Sequence, residues 1–170
     1  MKTILTGLAV LIGAMTATCD PPPPGPLSDQ LIGKWLLEGT IGGKQATHDV
    51  DAEWVLNREY IRLHEVSRAK NADASAAFEA IIFLEWQAKV GEYVCLFLDS
   101  TEGGGISSGI LARGKPTPDK IPLIFNLPGN EKIHTTLVYE KSSDTWQWLI
   151  DNEKDGKQEP FARLRMTRQK

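Results

Sequence analysis

Tyr60, Arg62 and His64 offer the side chains best suited to gripping a polar group, and all three fall within one short segment. In an extended strand they share a face, because alternate residues point the same way. On the inner wall of a barrel they would form a polar stripe in an apolar surround. A guanidinium there needs a partner, since an unpaired buried charge costs on the order of several kcal/mol. Glu79, Asp99 or a ligand carboxylate could serve, the last by bidentate pairing. The same stripe could do acid–base work through His64 or Tyr60, with Arg62 polarising a substrate oxygen. The opposite frame puts Ile61 and Leu63 inside and sends Arg62 and His64 to solvent.

Other chemistry-bearing patterns are weaker. Gly105-Ile106-Ser107-Ser108-Gly109 has the spacing of a hydrolase nucleophile, with Asp119 and His134 following. That motif works only on a strand–turn–helix elbow, whereas Ile110 to Pro116 is short, strand-like and ended by proline. Ser67-Arg68-Ala69-Lys70 lacks the companion motifs of a serine–lysine enzyme. Asp151 to Gly156 alternates oxygen ligands as calcium loops do, but Ala162 stands where the closing glutamate belongs. An Asp-Gly hairpin turn accounts for it. His48, His64 and His134 lie on three separate strands without zinc-site spacing, and Cys95 sits mid-strand as a small core residue. No catalytic residue, metal or cofactor is therefore assigned.

The elements that would carry these residues are strands. His48, Val50, Ala52, Trp54 and Leu56 alternate with Thr47, Asp49, Asp51 and Glu53, the period of a half-buried strand. Phe78, Ala80, Ile82, Leu84 and Trp86 repeat the pattern, and a hairpin at 87–91 leads into Tyr93–Leu98. Further strands are predicted near 33–41, 59–67, 106–113, 121–127, 132–140, 145–151 and 159–167, separated by Gly-, Pro-, Asp- and Ser-rich turns. Arg68–Ala77 reads as a loop or a single helical turn. Pro122 and Pro160 should mark strand starts, edges or bulges. About ten sequential antiparallel strands fit an all-β, up-and-down barrel, because closure removes exposed edges. A two-sheet sandwich is the alternative.

Composition sets the address. The chain has 170 residues and a formal net charge of −3 at pH 7, enough for one domain and without the basic footprint of a nucleic-acid binder. Residues 1–18 read as an export signal, with Lys2 ahead of an apolar run too short to span a bilayer. Thr16-Ala17-Thr18-Cys19 resembles a bacterial lipobox, which implies a lipid on Cys19 and attachment to a membrane. Residues 19–30, rich in proline, then form an extended tether, and 31–170 form the barrel domain.

Gly33-Lys34-Trp35 on the first strand, with Arg163 and Arg165 on the last, resembles the calycin pattern of lipocalins and fatty-acid-binding proteins. The resemblance implies an indole closing one barrel end with an arginine packed across it. A further likeness covers nearly all of residues 31–168. Trp54-Val55-Leu56-Asn57-Arg58-Glu59-Tyr60, Gly91-Glu92-Tyr93, Leu98-Asp99-Ser100 and Leu164 to Arg168 resemble a bacterial domain-of-unknown-function family with a lipocalin-like barrel. It implies a fold more than an activity. Haem-binding nitrobindin-type barrels use a histidine near the C-terminus; residues 159–170 contain none, so haem is not carried over.

The expectation is a cell-envelope lipoprotein whose calycin-like barrel binds a small apolar or lipid-like molecule, including one with an acid group. Tyr60, Arg62 and His64 would orient its polar end, and Trp54, Phe78, Ile82 and Trp86 would line the rest. Gly33, Trp35, Arg163 and Arg165 would close the barrel. A filled barrel acting as an envelope scaffold or protein-binding module is the alternative, followed by an enzyme acting on a small hydrophobic substrate.

Overall fold

The computed structural model describes residues 23–101 and 106–170; the signal-like segment, Cys19 and the first two prolines of the tether lie outside the described residues. Among the described residues ten strands form a closed antiparallel barrel: β1 (Gly33–Ile41), β2 (Lys44–Val55), β3 (Tyr60–Ser67), β4 (Glu79–Gln87), β5 (Glu92–Asp99), β6 (Ala112–Gly114), β7 (Lys120–Leu127), β8 (Glu131–Glu140), β9 (Thr145–Lys154) and β10 (Lys157–Arg168). Each strand pairs with its sequence neighbours, and β10 closes the ring on β1 from Trp35↔Arg168 to Ile41↔Ala162. The up-and-down barrel expected from the alternation is the observed fold.

The chain departs locally from expectation in two places, at 106–113 and at the end of the tether, while Arg68–Ala77 is the expected loop. Residues 106–113 form less strand than expected: a turn at Ile106–Ser108 precedes a three-residue β6. Gly109 between them takes φ 63°, a left-handed conformation that breaks extended chain. Arg68–Ala77 is a loop with one isolated bridge, Lys70↔Ala76. The end of the tether is also structured. A single helical turn, α1 (Ser28–Leu31), buries Ser28 and Leu31 under the barrel floor, so the packed domain begins before residue 31. Pro160 sits at a register shift in β10, as a residue without an amide donor should. Pro122 lies in β7, which pairs with β6 only at Arg113↔Ile124.

The barrel is filled only in its lower half. Trp35, Leu37, Val50, Ile61, Tyr93 and Trp146 are buried there against α1. Tyr93 donates its hydroxyl hydrogen bond to the Pro26 carbonyl at 2.6 Å and lies 2.6 Å from Ser28 Oγ. Burial raises its phenol to a pKa of about 12, so it remains a neutral donor at physiological pH.

The closing arginine is Arg168, not Arg163 or Arg165. Its guanidinium lies 4.0 Å from the centre of the Trp35 ring, donates to the Ile32 and Gln30 carbonyls, and pairs with Asp144. Trp35 in turn donates its indole N–H to the Leu31 carbonyl at 2.8 Å. Arg163 and Arg165 point outward, the first to Asp151 and the Ile150 carbonyl, the second to Thr145. The reason is alternation. Ala162, Leu164, Met166 and Arg168 share the inner face of β10, and Arg168, the last of them, stands opposite Trp35 at the floor, whereas Arg163 and Arg165 fall on the outer face. Gly33 makes the space: at φ 139° its Cβ would stand 2.3 Å from Arg168 Nη1. Gly33→Ala is therefore expected to destabilise the fold by about 1–3 kcal/mol, read as a lowered urea midpoint at unchanged slope.

Candidate functional site

Above the packed floor lies a cavity of about 670 Å³, within the range of roughly 300–1,000 Å³ typical of small-molecule sites. Its walls are mainly apolar: Leu63, Ile82, Phe97, Leu123, Leu137 and Trp148 converge from six strands. Lys44, Gln45, Asn152 and Phe161 both line the cavity and are exposed, which places its mouth at the end away from α1. Phe97 and Phe125 meet edge to face, 6.5 Å between centroids, where β5 and β7 lack a continuous strand between them.

The expected polar stripe is not in this cavity. On β3 the inner face is Ile61, Leu63, Glu65 and Ser67, all buried, and Tyr60, Arg62 and His64 point outward. Arg62 pairs with Glu53 across the β2–β3 ladder, and His64 Nε2 lies 2.6 Å from Glu79. Two apolar residues in alternation decide the frame, since burying Ile61 and Leu63 removes more apolar surface than burying the other set. Of the expected lining residues, Phe78 and Ile82 are on the cavity wall. Trp54 and Trp86 are inward but lie at the floor. Trp86 packs on Tyr93, their ring centroids 5.1 Å apart, and Trp54 donates to Asp29 of α1 at 2.9 Å. Arg58 stacks on Trp54 and donates to the same Asp29 oxygen. The Trp54-to-Arg58 stretch thus clamps α1 under the barrel.

The polar feature inside the cavity is a pair that sequence reasoning passed over. His48 on β2 and Glu65 on β3 are 5% and 4% exposed, with Nδ1 2.5 Å from Oε1. The tight turn at 56–59 sets the register Val50↔Glu65 and His48↔Ser67, so the two side chains meet diagonally on the inner face. Phe78 stacks on the imidazole at 5.6 Å between centroids. The signal was present: His48 shares the face of Val50 and Ala52, and Glu65 that of Ile61 and Leu63. Elsewhere on the wall, Thr135 accepts the Trp148 indole hydrogen bond at 2.8 Å.

Cys95 is buried in the wall, its thiol raised to about 12 by desolvation and so held protonated. Ser107 lies in the exposed 106–108 turn, on no nucleophile elbow, and Gly105 of that motif lies outside the described residues. The Asp151–Gly156 segment is the β9–β10 hairpin, with Asp155 and Gly156 both at positive φ. Among the described residues no group of three or more His, Cys, Asp or Glu is placed to hold a metal ion. His134 instead shares Glu153 with Lys132 on the outer wall. No protein-family model and no curated protein matches the sequence.

Proposed function

We propose that this protein is an exported, lipid-anchored binding protein that holds one small, mainly apolar molecule in the upper half of its barrel. The carrying observation is the cavity of about 670 Å³ above a packed floor. An apolar molecule entering such a space leaves water without requiring the barrel to reorganise. Closure of the lower end by Trp35, Arg168 and α1 supports a single entrance at the opposite mouth.

Titration with the neutral fluorophore N-phenyl-1-naphthylamine tests the binding role. One saturable site per chain is the expected result; no saturable fluorescence change would rule the reading out. Tyr60, Arg62 and His64, the stripe expected to do acid–base work in the enzyme reading, face outward.

A protein-interaction module is the second reading. It is favoured by a shallow outer groove in which Tyr60, Phe83, Val94 and Leu96 meet the exposed Leu56 and Leu111.

The anchor rests on the lipobox-like Thr16 to Cys19 and the proline-rich stretch behind it. Cells expressing the full chain and fed an alkyne palmitate analogue are expected to label the wild type and not Cys19→Ala. Equal labelling of both would refute the anchor.

A further inference from the structure

We infer that the His48–Glu65 pair makes this cavity selective for a neutral apolar molecule carrying a hydroxyl group, and selective against a fatty-acid anion of the same length. The inference rests on the binding role proposed above and names the chemical class of the molecule.

With Nδ1 held by Glu65 and a ring face covered by Phe78, the edge bearing Nε2 is what His48 can offer the cavity. Nε2 has no hydrogen-bond partner among the described residues. Nε2 is therefore the polar atom that His48 can turn to a ligand, and a hydroxyl, which both donates and accepts, can pair with it. A hydroxyl buried in an apolar cavity needs such a partner, because an unmatched one forfeits the hydrogen bonds it made to water.

A carboxylate meets the opposite conditions. Among the described lining residues the one Lys or Arg is Lys44, and it is exposed at the mouth. The acidic groups among these described lining residues are Glu65, beside His48, and Asp99, which accepts from the Thr101 backbone and hydroxyl near the rim. A ligand carboxylate at His48 would therefore sit beside the Glu65 carboxylate in a weakly polar space, with no Lys or Arg buried among the described lining residues to compensate it.

The test uses the protein produced from the full coding sequence and measures displacement of N-phenyl-1-naphthylamine by 1-decanol and by decanoate at pH 8, where the acid is ionised. Wild type is expected to prefer decanol by at least about tenfold. His48→Phe, which keeps a ring but removes Nε2, should lose most of that preference, with each displacement referred to the variant's own affinity for the fluorophore. Glu65→Gln should narrow the preference from the other side, by improving decanoate binding. Equal or tighter binding of decanoate by wild type, with the fluorophore bound, overturns the selectivity and leaves the binding role standing. An unchanged decanol preference in His48→Phe also overturns it. Failure of the fluorophore to bind wild type removes the binding role and this inference together.

Discussion

Trp35→Ala will destabilise the barrel by about 3–5 kcal/mol, the usual cost of truncating a fully buried large aromatic. The indole is 0% exposed, and three separate interactions converge on it or on its partner. It packs in the floor, donates to the Leu31 carbonyl, and carries Arg168 at 4.0 Å from its centre. Removing it takes from α1 one of its anchors and leaves Arg168 without a stacking surface. Arg168→Ala should cost less, about 2 kcal/mol, because charged hydrogen bonds to the Ile32 and Gln30 carbonyls are lost while the core stays filled. Arg163→Ala and Arg165→Ala should each fall within about 1 kcal/mol, as exposed pairs do. Urea unfolding of the four variants gives the ranking directly. Equal effects at 163, 165 and 168 would contradict the assignment of the closing arginine.

Filling the lumen has the second large effect. Ile82 on β4 and Leu137 on β8 face one cavity from different sides of the barrel and are 3% and 4% exposed. Replacing both with tryptophan puts two indoles into space that is open rather than packed, so the strain of overpacking a dense core is largely avoided. Affinity for N-phenyl-1-naphthylamine should fall at least about tenfold, while far-ultraviolet circular dichroism keeps its β-sheet form. Unchanged affinity in the double variant would place the fluorophore outside the barrel, with the outer groove around Tyr60 and Leu111 the next location to probe.

Much of the fold was legible because period-two alternation is unambiguous where one set is apolar. Val50, Ala52 and Trp54 on β2, or Ile82 and Leu84 on β4, leave no choice of inner face. The candidate site was harder to read because β3 carries polar residues in both sets: Tyr60, Arg62 and His64 in one, Glu65 and Ser67 in the other. Chemical attractiveness drew attention to the first set, whereas Ile61 and Leu63 settled the frame against it. His48 and Glu65 are unremarkable one strand at a time. They become a pair only through the β2–β3 register. The floor hid for another reason. A four-residue helix whose N-cap, Leu27, takes φ 67° has neither helical periodicity nor a side-chain cap to announce it. The Gly-x-Trp tripeptide pointed to the closure, but which arginine reaches the indole depends on which one shares the inner face of β10 with Leu164 and Met166 and stands opposite Trp35.

The central claim is that the upper barrel holds one small apolar molecule. Native mass spectrometry of the protein, purified without detergent and incubated with 1-decanol, tests it most directly. The expected spectrum shows a single decanol adduct that disappears on denaturation and is absent from the Ile82→Trp/Leu137→Trp variant. A bare protein mass under the same conditions, or an adduct of equal abundance in the filled variant, would contradict it.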